Sequence, residues 1–279
     1  MDATTQAALR RINREFYSRH AADFDRTRHP GGWPGWRSVV ETAVSPTGRP
    51  LHVLDLGCGN GRFALFLENN PELLNHRPFT YHGIDLSSEL IDHARAATAG
   101  VDHIRFQVDD IENCTLAEAT HDLVTLFGVL HHLPGFKSRR RTLERAASAV
   151  APGGLLALTC WQFADDPRFE DRRLDWCSAA GVDPAELEPG DHLLRWGQAD
   201  TEGRRQSRRR SSRRLRRQRV GRPAHQARRY CHHTNEPELD RLVCGLQLAE
   251  VARYRSDGRG GRQNLYWLGA HNGAAATLS

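Results

Sequence analysis

The stretch from Val53 to Phe63 constrains this chain more than any other: a short apolar strand, an acid at Asp55, glycines at 57, 59 and 61, then a helical pattern. Glycine there lets the backbone turn with positive φ and approach a ligand closely, while Asp55 ends the strand as a hydrogen-bond acceptor. Such a turn suits a nucleoside. Its spacing is G-x-G-x-G, not the G-x-G-x-x-G that seats a pyrophosphate, which argues against NAD and for a ligand without phosphates.

A second acid follows at the distance a nucleotide fold requires. Tyr81 to Leu86 reads as a strand ending in Asp85, 24 residues beyond Gly61 and close to the roughly 20 expected for a carboxylate on ribose hydroxyls. Ser87-Ser88-Glu89 supplies an N-cap and a first-turn acid for a helix through Arg95. Ile104 to Val108 then gives a third strand, ending in Asp109-Asp110. With those acids in order, Asp55 to Gly61 resembles motif I of the class I S-adenosylmethionine (SAM)-dependent methyltransferases. The resemblance implies SAM as cofactor. It implies contacts from Asp55, Gly57, Gly59, Asn60 and Gly61 at the turn, from Asp85 and Leu86 after the second strand, and from Asp109 and Asp110 after the third. Phe127 after the fourth strand completes the set. In the family the third-strand acid meets the adenine amino group, which here is Asp109.

The resemblance extends over about residues 50 to 162. Asp122 to Leu133 is similar to the fourth strand and following loop of the type 11 methyltransferases, and Ala149 to Leu158 to their Pro-Gly-Gly turn and fifth strand. Apolar strands alternating with helical patterns imply a parallel sheet covered on both faces, with ligands at the carboxyl ends. The expected fold is α/β: a doubly wound, mostly parallel, seven-stranded Rossmann-like sheet with an antiparallel last strand. Strands are expected near 51–56, 80–85, 103–108, 122–127 and 154–160. Residues 1–48 form a helical cap, with helices over Thr4–Ser18 and Trp36–Ala43, and 49–162 form the SAM-binding core. Residues 163–235 form an insertion with a helix near Asp171–Ala180. Residues 236–279 complete the sheet with a helix over Pro237–Gly245 and strands over Gln247–Tyr254 and Gln263–Ala270.

Charge is concentrated in one run. Thirteen of the 39 basic residues lie between Arg204 and Arg229 with no acid among them; the other 26 face 34 acids, a net of −8. Three accounts of this segment (203–229) stand: an arginine-rich arm on RNA phosphates, a disordered loop, or the product of a local reading-frame slip in GC-rich DNA, which the single lysine, Lys137, also suggests. The opening Met1 to His20 is polar, and no stretch approaches the ~20 apolar residues of a membrane span, so the expectation is a cytoplasmic protein without a membrane partner. Six scattered cysteines without a C-x-x-C pair, and a His232-His233 pair without nearby ligands, give no disulfide framework and no metal site.

On the acceptor side, Gly190 to Trp196 is similar to a G-D-x-L-x-x-W stretch. Arg229 to Leu239 is similar to an R-Y-Y-H-x-F-x-x-x-E-L stretch, with Cys231 for the usual tyrosine and Thr234 for the usual phenylalanine. Both stretches occur in the tRNA wobble-uridine methyltransferases that esterify a carboxymethyl group, and Phe16-Tyr17, Phe24, Thr27-Arg28, Trp33 and Trp36 fit that family's opening. The resemblance implies a methyl acceptor that is tRNA or a small molecule, with room for a small partner subunit. An ionised carboxylate acceptor needs no base but needs a cation to orient it, best a planar guanidinium. Arg229 is the first candidate and Arg28 the second. His131, in His131-His132, is a candidate base for an oxygen or nitrogen nucleophile. A small-molecule methyltransferase and a non-catalytic SAM-binding partner protein are the alternatives.

Overall fold

The computed structural model describes residues 1–26, 32–43, 49–196, 227–258 and 260–271. Two amino-terminal helices, α1 (Ala3–Arg26) and α2 (Gly35–Ala43), precede a doubly wound unit. That unit runs β1 (Leu51–Leu56), α3 (Arg62–Glu68), β2 (Phe79–Asp85), α4 (Ser88–Ala97), β3 (Ile104–Val108), β4 (His121–Leu126), α5 (Phe136–Ser148) and β5 (Val150–Trp161). After β6 (Arg173–Leu174), β7 (Asp191–Trp196) and β8 (Ala227–His232), the chain returns through α6 (Glu236–Val243), β9 (Leu248–Ser256) and β10 (Asn264–His271).

The main sheet has seven strands in the order β3-β2-β1-β4-β5-β10-β9. Strands β1 to β5 are mutually parallel, and β10 runs antiparallel to both β5 and β9. The central strands read as continuous apolar runs because both faces are covered. Leu54, Leu56, Val124 and Leu126 pack with Leu143 of α5 and Leu239 and Leu242 of α6. Val53, Leu123 and Leu155 pack with Trp36, Phe63 and Leu67 on the other side. Helix α4 starts where expected, the Ser87 hydroxyl accepting the Leu90 N–H at 3.3 Å.

Several elements depart from the sequence expectation. Helix α1 runs on to Arg26, eight residues past Ser18. Strand β5 starts at Val150, four residues early, because Val150 pairs with His121 ahead of an irregularity between His121 and Leu123. No α-helix forms over 171–180. The Asp166 and Asp175 carboxylates accept the N–H groups of Arg168 and Cys177, closing short 3₁₀ turns that compete with an α-helix. Between those turns Arg173 and Leu174 pair with Leu194 and Leu193.

The stretch 163–235 also holds more structure than an insertion with one helix. Strands β6, β7 and β8 form a separate antiparallel sheet. The last residues of the arginine-rich run, Arg228 and Arg229, lie in β8, paired with Arg195 and Leu194; residues 203–226 of that run lie outside the described residues. Leu9 and Ile12 of α1 pack on Leu193 and Tyr230 of this sheet. Arg10 of α1 makes a two-pronged contact with Glu112 at 2.9 and 2.8 Å, fastening the cap to the core beyond β3.

Candidate functional site

A cavity of about 1950 Å³ opens at the carboxyl ends of β1, β2 and β4, between the main sheet, α1 and the small sheet. Its floor is the glycine turn. Gly57 and Cys58 donate their N–H groups to the Ile84 carbonyl at 2.7 and 3.1 Å, hanging the turn on β2. Gly57 has φ 77°, and a Cβ there would come within 2.4 Å of Val129. Gly59 has φ 56°, yet a Cβ there would meet nothing nearer than Leu90 at 4.0 Å, so the space beside it is open.

Two acids bracket the turn, Asp55 buried and Asp85 half-buried. Asp55 is 3% exposed and accepts the Tyr81 hydroxyl at 2.5 Å and the Thr125 hydroxyl at 2.7 Å. Burial raises its pKa to about 6 against the pull of those bonds. Asp85 accepts the Gly59 N–H at 2.8 Å on one oxygen and the Ser87 N–H at 2.9 Å on the other. Burial raises its pKa too, opposed by the same backbone donors. An ionised carboxylate has about four lone-pair sites, so each oxygen keeps one for a ligand hydroxyl.

Leu86, 51% exposed, borders the cavity beside Asp85 and offers an apolar surface to a planar base. Asn60, Phe127 and Asp110 also border it. Asp109 does not: its carboxylate takes the Asp110 N–H at 2.7 Å and the Gln107 side-chain N–H at 2.8 Å. The third-strand acid nearest the cavity is therefore Asp110, one residue on. Gly61, with φ 75°, caps α3 just behind the turn.

The acceptor side is aromatic and basic. Arg229 is 8% exposed and sits between two rings, its guanidinium carbon 4.9 Å from the Trp161 centroid and 5.7 Å from that of Phe16. Among the described residues no carboxylate pairs with it. His131, 7% exposed, stands 5.3 Å from the same Trp161 ring, centroid to centroid, so one indole joins the two candidates from distant parts of the sequence. His132, 4.0 Å from His131 ring to ring, bonds the Tyr17 hydroxyl at 2.7 Å. Arg28 lies outside the described residues.

Sequence reasoning missed Trp161 and the role of Phe16. Trp161 closes β5, and only its place at the carboxyl end of a central strand signals a site residue. Phe16 lies on the buried stripe of α1 with Leu9 and Ile12, a pattern that reads as core. Two sets of described residues bring three donor atoms within 4.8 Å of one another: His131, His132 and Cys231, and Glu188, Asp191 and His232. In the first, the His132 ring already bonds Tyr17, and burial pushes the Cys231 thiol up to about 11, against thiolate formation. In the second, the side chains already bond their neighbours. We assign a metal to neither.

Residues 53–154 match the model of a family described as methyltransferase domain. The chain is 30% identical over 118 residues to a ubiquinone biosynthesis O-methyltransferase of Coxiella burnetii, covering 42% of this chain and 45% of that protein. It is also 30% identical over 145 residues to a tRNA (carboxymethyluridine(34)-5-O)-methyltransferase of Arabidopsis thaliana, covering 52% of this chain and 31% of that one. It thus spans less than half the length of either. In fold it is similar to an S-adenosylmethionine-dependent methyltransferase from Clostridium acetobutylicum, with a TM-score of 0.56, 13% identity and coverage of 92% of this chain and 99% of the other. The seven-stranded order, the glycine turn pinned by Asp85 and the family match agree: the chain carries a class I S-adenosylmethionine-dependent methyltransferase domain.

Proposed function

We propose that the protein is an active methyltransferase that binds SAM over the glycine turn and methylates an acceptor carrying a carboxylate, of which the carboxymethyl group of a tRNA wobble uridine is one example. The observation that carries the acceptor half is Arg229: a guanidinium almost wholly buried between Trp161 and Phe16, at the cavity wall, with no carboxylate partner among the described residues. A buried cation without a counter-charge is costly, and two ring faces return only ~0.5–2 kcal/mol each. An anionic acceptor supplies the missing charge, and the planar fork can hold a carboxylate by two parallel bonds.

The cavity fits the donor. It combines an open space beside Gly59, lone pairs on both Asp85 oxygens and an exposed Leu86 face. When bound, SAM supplies a methyl on a sulfonium, so transfer is an in-line displacement. The protein's part is alignment, worth up to ~7–11 kcal/mol where the geometry is right. Asp85 and Gly59 fix one partner and Arg229 the other. A carboxylate acceptor is already ionised at neutral pH, so no base is required of His131.

The test is methyl transfer from labelled SAM to bulk tRNA and, separately, to a metabolite extract, with the product classed as base-labile ester or base-stable ether or amine. A base-labile product that is lost in Arg229→Ala supports the reading. A base-stable product made equally well by Arg229→Ala contradicts it and turns attention to neutral nucleophiles near His131. The curated relatives' names include both tRNA and small-molecule acceptors.

A further inference from the structure

We infer that His232 is a positioning residue for the acceptor side: held as an imidazolium between two carboxylates behind β8, it fixes the strand whose opposite face carries Arg229. The inference rests on the reading of Arg229 given above. His232 is 2% exposed, its Nδ1 lies 2.7 Å from Asp191 Oδ1, and its Nε2 lies 2.9 and 3.0 Å from the two oxygens of Glu238. A neutral imidazole has one N–H, so it would turn a lone pair on one of these carboxylates; only the charged ring donates to both.

The surrounding groups form a closed set. Asp191 of β7 also accepts the Tyr230 hydroxyl at 2.7 Å and the Glu188 N–H at 2.8 Å. Arg139 of α5 bonds Glu188 at 2.5 Å and Glu238 of α6 at 2.8 Å. Three carboxylates, Asp191, Glu188 and Glu238, thus face two cations, Arg139 and an ionised His232; a neutral ring would leave two carboxylates uncompensated in a buried place. The neighbouring His192 and His233 are pushed toward their neutral forms chiefly by burial, so neither supplies the charge. For His232 burial pulls the same way, but its bonds to Asp191 and Glu238 outweigh it and raise the pKa.

Side chains alternate along a strand, so Tyr230 and His232 face the network while Arg229 and Cys231 face the other way. The network joins α5, α6, β7 and β8, and so ties the small sheet to the main one directly behind Arg229. A ring that loses its proton releases one carboxylate contact and loosens β8 against α6. The raised pKa sets the sign: the clamp is complete below the ordinary histidine value of 6.5 and is lost as pH rises through the raised value in the folded protein.

Two measurements decide it. In ¹⁵N-histidine NMR of the full chain, His232 should show both ring nitrogens protonated at pH 7, and Glu238→Gln should shift its titration to lower pH. A neutral His232 ring at pH 7 overturns the inference, whatever any variant does. In His232→Gln, calorimetry should give a SAM affinity within twofold of wild type, while the KM for the acceptor class found with bulk tRNA or extract rises about tenfold with a smaller change in kcat. A crystal structure of that variant should show Arg229 displaced from Trp161; an unmoved stack with unchanged acceptor KM overturns the positioning role. Failure of the acceptor reading itself looks different: wild type then transfers no methyl to a carboxylate acceptor, while the NMR and the variant's structure still decide the role of His232.

Discussion

The Asp85 carboxylate accepts the Gly59 N–H at 2.8 Å, joining residues 26 apart in the chain and locking the end of β2 onto the glycine turn. The acid suited to a ribose and the turn suited to the rest of the nucleoside therefore form one rigid unit. The same oxygen pair takes the Ser87 N–H that opens α4, so the start of that helix is fixed by the same carboxylate.

That geometry separates the effects of two glycine substitutions. Gly59→Val should leave the protein folded but abolish SAM binding. Its Cβ meets only Leu90 at 4.0 Å, so the branched side chain enters the cavity, and the left-handed backbone costs about 1–2 kcal/mol. Gly57→Ala should instead destabilise the fold by about 2–5 kcal/mol, through the same backbone cost plus a Cβ 2.4 Å from Val129. Denaturant unfolding beside calorimetric SAM titration distinguishes the two; a folded Gly59→Val that binds SAM normally contradicts the placement of the nucleoside.

Affinity for SAM should depend on pH through Asp55. Its pKa is raised to about 6 by burial, so in the free protein it takes up a proton as pH falls through that value. SAM carries positive charge and favours the ionised form. Binding should therefore tighten as pH rises from 5 to 7 and level off above, with proton release on binding near pH 6. Asp55→Asn should flatten that profile. A wild-type affinity that is constant from pH 5 to 7 contradicts the role of Asp55.

Arg229→Lys keeps the charge but not the planar fork, so turnover should fall at least about tenfold while SAM affinity holds. Arg229→Ala should be worse. The control is Arg14→Ala, an exposed arginine at the rim of the same cavity, where only a small and salt-dependent effect is expected. Equal losses at both positions would make Arg229 one of several rim charges instead of an anchor.

The doubly wound half was legible because its strands are buried on both faces and so appear as apolar runs ending in acids. Asp55, Asp85 and the glycine turn follow directly from that pattern. The pattern does not separate Asp109 from Asp110 at the end of the third strand: the Asp109 carboxylate is occupied by Gln107 and the next backbone N–H, while Asp110 borders the cavity. The small sheet was not legible, for two physical reasons. Strand β6 is only two residues long, and β7 and β8 are separated by thirty residues dominated by arginine, so no short-range hairpin signal connects them. The network around His232 was hidden for a related reason. Its charged partners Arg139, Glu188, Asp191 and Glu238 come from three segments, and each alone reads as a surface charge. Likewise no local pattern shows that Arg229, Trp161 and Phe16, from β8, β5 and α1, form one stack.

The central claim is that this cavity holds SAM on Asp85 and the glycine turn, and titration calorimetry of SAM into wild type and Asp85→Ala tests it most directly. The account predicts one SAM per chain for wild type and an affinity lower by about 1.5–3 kcal/mol, roughly ten- to hundredfold, in the folded variant, the range for hydrogen bonds to a charged group. No binding by wild type, or the same affinity in a folded Asp85→Ala, would contradict it.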